Sequence, residues 1–496
     1  LIIRNTLVGW SSMAVNFAVA LASVPIQVHY LGKTGLGVWL LLMNMWAFML
    51  LLDLGVSQSL ARHVADDLVR DDIDSLGKSV STSLAMYSVL ALAAILIYLV
   101  LAFNLDRFFN IPPDFLDSAT WAMLPLCAVT VFSLPAKIFE ALLFAREELY
   151  IYQSVVMTTV LARLGLIWLF LHQGWGLLGV GLSFALAGFC EFAMTGYFSL
   201  RGMHASAWLR VSWDWARARK MIIYARDALL IQLGLIARAQ LPVLILGILS
   251  TPVALAYFGV AMRLTTHAVS LSTVVARAVQ PKLSLLKAGD KDEDMVRLLK
   301  RSTLYASYFA GFLGLGLYFL SEPFLVLWLG EGFVKSAKVV RILVVPLVML
   351  MSLGPSEAVL FSIKRHGFTG ILNLIEIAIM GLVIFGLVQE KGDIGAAIGL
   401  GLALLLLRPW VLPWYVCRKT GVRLGEFWLQ GILRAWLPLL LIAPLLGFFL
   451  HTWPVHGWFG FVAVCLGLGL LCGLVFIFVV MGPVERSFWL QKLSFF

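Results

Sequence analysis

From Tyr224 to Val279 the chain reads YARDALLIQLGLIARAQLPVLILGILSTPVALAYFGVAMRLTTHAVSLSTVVARAV. Two apolar runs, each long enough for a helix that crosses a bilayer, meet at the tight break Leu249-Ser250-Thr251-Pro252. Each run carries one arginine deep inside it. Arg238 lies twelve residues before Ser250 and Arg263 thirteen after it. At about 1.5 Å of rise per helical residue, both guanidiniums fall roughly 18–20 Å below the turn, inside a hydrocarbon layer about 30 Å thick. A charge at that depth is costly and faces a protein interior or a water-filled cavity. Two at matched depth on consecutive helices predict a cationic site for an anionic ligand.

Composition places that hairpin in a membrane protein. Of 496 residues, 61% are hydrophobic and only 13% charged, with mean hydropathy +0.95. Soluble domains carry about 25% charged residues, which excludes a water-soluble chain. The five cysteines (Cys127, Cys190, Cys417, Cys465, Cys472) all fall in apolar runs, without metal-ligand spacing, and read as small core residues. Leu7 to Tyr30 is too long for the apolar part of a signal peptide and reads as the first span.

Apolar runs separated by short polar breaks predict fourteen spans, at about 7–30, 36–59, 79–103, 119–145, 154–172, 176–200, 222–249, 252–280, 302–329, 338–363, 368–389, 394–417, 430–450 and 457–482. Alternate breaks divide the 37 basic residues unequally: 23 on one side, 6 on the other, and 8 within spans. By the positive-inside rule both termini are cytoplasmic. The same bias explains the net charge of +10 without nucleic acid as a partner.

An internal repeat organises the spans. Glu140-Ala141-Leu142-Leu143-Phe144 returns as Glu357-Ala358-Val359-Leu360-Phe361 at an offset of 217, and Asp72-Ile73-Asp74 returns as Asp290-Lys291-Asp292 at 218. An even number of spans separates the copies, so they share orientation. The reading is an all-α integral membrane protein: a six-helix bundle over 1–202, an interfacial linker helix rich in Trp and Arg over 203–220, a second six-helix bundle over 221–425, and two additional helices over 426–496. No loop is long enough to house a soluble domain.

Arg163, near the middle of the fifth span, joins Arg238 and Arg263 as a third midplane cation. Arginine suits a phosphate because its planar fork donates in pairs and stays protonated when desolvated. The competing reading pairs each arginine with a buried carboxylate, Glu376 or Glu191. Lys137 and Glu140 are three apart on one helical face and suit a local ion pair. Glu140 and its repeat partner Glu357, with Glu376, are the candidate gating or ion-coupling carboxylates. Asp53, toward the cytoplasmic end of the second span, caps it, gates it or snorkels to the interface. Arg408, and the pair Arg226-Asp227, read as interfacial. Prolines within spans, such as Pro125 and Pro242, permit bends. No HExxH, GxSxG, phosphate-binding glycine loop with Lys, or Cys/His metal pattern occurs. No cofactor is expected. Without a phosphate-binding loop, the energy source is a proton or sodium gradient or the gradient of the substrate itself.

The stretch Tyr30-Leu31-Gly32-Lys33-Thr34-Gly35-Leu36-Gly37-Val38-Trp39, followed by Leu52-Asp53-Leu54-Gly55-Val56 and Ala61-Arg62, resembles the first two spans of the polysaccharide (O-antigen type) flippases. These belong to the multidrug/oligosaccharidyl-lipid/polysaccharide exporter superfamily, with the lipid II flippases and MATE drug exporters. The resemblance implies two six-span bundles with alternating access and a cationic central cavity between them. It implies a substrate, an undecaprenyl-pyrophosphate-linked oligosaccharide, moved across the bacterial inner membrane. It also implies membrane lipids and a polymerase or glycosyltransferase of the same pathway as partners. In such proteins the last two spans can form a groove for the lipid tail. Here Gly460, Gly467, Gly469 and Gly473 suit either a groove or close helix packing. A MATE-type exporter of small organic cations would call for an acidic lumen, which the midplane arginines oppose. A membrane glycosyltransferase or ligase would need a large catalytic loop.

Overall fold

The computed structural model describes residues 2–53, 56–70, 72–201, 213–365, 367–482 and 486. Among them there are helices and turns and no strand. In chain order the helices are α1 (Ile2–Met49), α2 (Val56–Val69), α3 (Ile73–Ala102), α4 (Leu105–Phe108), α5 (Pro113–Ala145), α6 (Leu149–His172), α7 (Gly176–Leu200), α8 (Trp215–Leu249) and α9 (Pro252–Ala288). They continue with α10 (Asp292–Leu329), α11 (Val334–Ser352), α12 (Gly354–Ser362), α13 (Gly367–Leu406), α14 (Arg408–Thr420), α15 (Leu424–Glu426), α16 (Arg434–Thr452) and α17 (Gly457–Val475).

Eleven stretches of described helix are long and apolar enough to cross a membrane. Two of them hold two spans each. The stretch Arg4–Asp53 turns at Gly32 (φ 66°), and Gly367–Thr420 turns at Gly392 (φ 51°); both backbones need a residue without a Cβ. With α9, which is as long as its neighbours but more polar, the expected fourteen are accounted for. The second span ends earlier than expected. Its helix stops at Met49, passes through a 3₁₀ turn to Asp53, and α2 starts afresh at Val56. The linker helix expected from 203 lies outside the described residues as far as 212; from Trp215 the chain is already in α8.

The chain forms two compact units, Leu1–Ala256 and Tyr257–Phe496. In the first, α5 packs on α7, α3 and α2, and α6 packs on α1 and α7. In the second, α10 packs on α11, α11 on α13, and α16 on α10. Each unit has a core near its cytoplasmic end, as the charge rule assigns sides, and the two are built from corresponding residues. Val64, Leu76, Val80, Ala141 and Leu142 in the first core match Leu283, Met295, Leu299, Ala358 and Val359 in the second.

The turns correspond as well. After α5, Glu148 N–H donates to Leu143 C=O and Glu147 to Phe144, with Glu147 at φ 61°. After α12, Arg365 donates to Leu360 and Lys364 to Phe361, with Lys364 at φ 57°. Both are Schellman endings, 217 residues apart. At the other matched loop Asp72 donates to Asp67 and Lys291 to Leu286. That equivalence is 219 residues, one more than the 218 of the acidic match, because Asp72 corresponds to Lys291.

The last two helices dock on α10. Gly311 of α10 lies so near Leu439 that a Cβ there would come within 2.6 Å of its methyl. The Trp436 indole donates to Ser307 C=O (3.1 Å) and the Tyr308 hydroxyl to Cys472 C=O (2.6 Å). By contrast, among the described residues nothing lies within 4 Å of a Cβ added at Gly467, Gly469 or Gly473. Cys190 also departs from expectation: it is exposed, while Cys417 and Cys472 are buried.

Candidate functional site

The first unit gathers five of its intramembrane charges into one polar region. Asp53 ends the 3₁₀ turn and caps the start of α2: the Ser57 hydroxyl (2.7 Å) and amide (3.3 Å) donate to it, as does the Tyr87 hydroxyl from α3 (2.6 Å). On α5, one turn apart, Lys137 Nζ and Glu140 Oε2 lie 2.7 Å apart with about a third of each side chain exposed. Asp53 and, from α7, Glu191 lie within electrostatic reach of Lys137, and Tyr152 of α6 lies beside Glu140. Glu191 also faces Arg163. Arg163 sits 4.4 Å above the Phe184 ring, a cation–π seat that shields its charge. Trp39 and Trp46 pack against the same ring.

The second unit handles its buried charges differently. Arg408, at the start of α14, has a side chain 2% exposed. Its Nε and Nη2 donate to the two carboxylate oxygens of Glu376 on α13 (2.8 and 2.9 Å), while further donors reach Glu357 of α12 and Asn373 of α13. Arg408 is thus no interfacial residue. Pro409 and Pro413 continue its helix, which carries the guanidinium inward onto Glu376. A buried guanidinium of this kind is tolerated only because every side of its fork meets an acceptor. Both carboxylate oxygens of Glu376 are engaged by that contact.

Glu140 and Glu357 hold matching places in the repeat and are nearly equally exposed, at 32% and 33%. Each is paired with a cation, but from unrelated positions: Lys137 on the same helix, and Arg408 from a later one. At the 217 offset the position of Arg408 is held in the first unit by Glu191, so the charge is reversed. No motif in the sequence pairs Arg408 with Glu376 across 32 residues. The only available signal was that a proline-flanked arginine inside an apolar run needs an acceptor somewhere.

Arg238 lies on α8 and Arg263 on α9, both half-buried. Near Arg238, the Asn44 amide of α1 donates to Gln240 of α8 at its carbonyl (3.0 Å) and its side-chain oxygen (2.6 Å). His267 lies one turn beyond Arg263 and within reach of its charge. The side chains of Arg226 and Asp227 lie outside what the structure describes.

A further cluster sits at the base of α8, around Arg217 of the segment expected as the linker helix. Arg217 donates to the Ser75 carbonyl (2.7 Å), the Ser75 hydroxyl (2.7 Å) and the Ser79 hydroxyl (2.6 Å) of α3. Both hydroxyls donate in turn to Asp67 of α2, and Asp214 caps α8 on the Arg217 amide.

Comparison with known proteins follows the same lines. A family model described as "Polysaccharide biosynthesis protein" matches residues 30–338. The chain is similar to the lipid II flippase MurJ in an inward closed conformation (TM-score 0.71, 12% identity, 99% of this chain and 100% of that one). It is similar to an inward-facing multidrug resistance MATE family transporter of the MOP superfamily (TM-score 0.71, 15% identity, 83% and 96%). A Vibrio cholerae MATE transporter, VcmN, gives a TM-score of 0.56 at 13% identity over 84% and 96%. At such identities the likeness speaks to the fold. No curated protein sequence matches.

Proposed function

The chain belongs to the polysaccharide biosynthesis protein family, and we propose that it is a multi-pass membrane transporter rather than an enzyme, one that flips an undecaprenyl-pyrophosphate-linked oligosaccharide across the bacterial inner membrane by alternating access. The observation that carries this reading is that Arg238 and Arg263 are each half-buried, twelve residues before Ser250 and thirteen after it in the sequence. A diphosphate offers several oxygens to a planar donor fork, and in a low-dielectric setting each charge-assisted bond is strong. Arg163 is the third binding residue. The glycan itself need not be read in detail, because the diphosphate is common to any sugar attached through it.

Coupling to a proton or sodium gradient is assigned to the polar region of the first unit, with Glu140, Lys137 and Asp53 as gating or coupling groups. Glu357 holds the matching gate position in the second unit, and Glu376 holds Arg408 in place. The test is surface-glycan export in a strain that depends on this protein. Arg238→Ala and Arg263→Ala should each abolish export while the protein remains in the membrane at normal level. Lysine substitutions should restore it only partly, because an ammonium is a point charge without the paired fork. Full export by both alanine variants would refute the reading. So would resistance to small organic cations in a pump-deleted strain, which would favour an exporter of drug type.

A further inference from the structure

At the end of the second unit that the charge rule assigns to the cytoplasm, four elements enclose an open cavity of about 200 Å³. Its polar rim is Lys287 from α9, Asp292 from α10, Arg365 from the turn after α12, and Lys419 and Thr420 from α14, with Met295 and Ile363 as apolar floor. The one acid is already engaged, since Lys287 Nζ lies 3.0 Å from Asp292 Oδ1. Arg365 and Lys419 are exposed, and the side chain of neither makes a hydrogen bond or ion pair among the described residues. Lys419 stands 5.8 Å from the ring of Tyr415, which is stacked on Phe368 at 3.9 Å. On the same helix Trp410 and Trp414 are exposed, with Arg418 over the Trp414 ring, the aromatic-and-basic mix of a membrane–water boundary.

The internal repeat supplies a control. The first unit folds the same turns with the same backbone hydrogen bonds, yet has Leu68 where the second has Lys287, and Glu148 where the second has Arg365. Lys287 and Arg365 are therefore not a by-product of the turn geometry; at these two positions the charge is a property of one copy only.

We infer that this cavity binds the phosphate group of an anionic phospholipid of the cytoplasmic leaflet. About 200 Å³ holds several waters at roughly 30 Å³ each, room enough for a phosphodiester with its hydration. Basic pockets at this level attract anionic headgroups. The apolar floor and the neighbouring tryptophans suit a phosphate that carries acyl chains better than a free one. This inference does not depend on the transport reading, since it is tested by binding alone.

The experiment is native mass spectrometry, with thermal unfolding in parallel, on the full-length protein in detergent. It is titrated with phosphatidylglycerol, phosphatidylcholine, inorganic phosphate or a polyprenyl diphosphate. Phosphatidylglycerol should bind about tenfold more tightly than phosphatidylcholine. The double variant Arg365→Glu with Lys419→Gln should erase that preference while unfolding at the parent's temperature without lipid. Equal binding of the two phospholipids, or an unchanged preference in the double variant, overturns the proposal. Stabilisation by inorganic phosphate alone overturns it in favour of a soluble anion, and variant-sensitive binding of polyprenyl diphosphate in preference to phosphatidylglycerol overturns it in favour of a substrate-loading site. A double variant that fails to fold leaves Lys419→Gln alone to be measured, with a threefold loss expected and no loss counting against the site.

Discussion

Arg408 shows what one buried charge demands of its surroundings. Its fork is satisfied by Glu376, Glu357 and Asn373, and the Arg408 and Glu376 side chains are only 2% and 3% exposed. Taking away one partner strands the other, at a cost of about 3–5 kcal/mol for a buried pair. Arg408→Ala should therefore lower the unfolding temperature of the purified protein sharply. Arg408→Met combined with Glu376→Leu should recover most of the loss, because Glu357 is a third exposed and remains hydrated on its own. A double variant as unstable as the single one would show that the cluster is not held by ion pairing. The sequence made Glu376 and Glu357 visible as intramembrane carboxylates. It hid their partner, because the contact joins helices whose packing no periodicity records.

At the scale of elements, the glycines of Gly32-Lys33-Thr34-Gly35-Leu36-Gly37 illustrate what was legible. Gly32 supplies the positive φ at which α1 turns. Gly35 takes the Phe115 ring within 3.1 Å of where a Cβ would be, and Gly37 is nearest of all: a Cβ there would fall 1.7 Å from the Pro252 carbonyl oxygen. Farther along the same contact, Gly247 meets Leu41, and the Asn110 amide donates to the Gly247 carbonyl. The outer end of α8 is thus sewn to α1, and its base is sewn to α2 and α3 by Arg217. Backbone cannot yield as a side chain can. Gly37→Ala should therefore cost more than the 1–3 kcal/mol or so typical of overpacking, and the folded yield should collapse. Gly467→Ala, with open space around it, should change the yield little. Equal yields from the two variants would contradict this account of the contact. Arg217→Ala is the milder counterpart, with a loss of about 1–3 kcal/mol for charge-assisted bonds near the surface. Its thermal unfolding should shift while export persists.

At the scale of the molecule, periodicity sufficed for the spans and the repeat, since lipid imposes length and polarity directly on the chain. What they could not convey is that the two copies have diverged in their handling of charge. The second unit locks its carboxylates onto an arginine almost wholly withdrawn from solvent. The first keeps Glu140 a third exposed beside Lys137 and leaves Glu191, also half-buried, without a hydrogen bond or ion pair among the described residues. A group that exchanges a proton or cation during transport needs access and a partner it can release, which only the first arrangement offers. Dependence of export on the ion gradient should therefore follow substitutions in the first unit. Glu191→Gln and Glu140→Gln should weaken the response to an imposed gradient at least tenfold, with normal amounts of folded protein. Glu376→Gln should instead reduce the folded amount, and the molecules that do fold should respond to the gradient as the parent does. Vesicles carrying each variant, assayed for lipid-linked glycan movement with and without the gradient, separate the two outcomes. A gradient response lost in Glu376→Gln yet intact in both first-unit variants would place coupling in the other copy of the repeat.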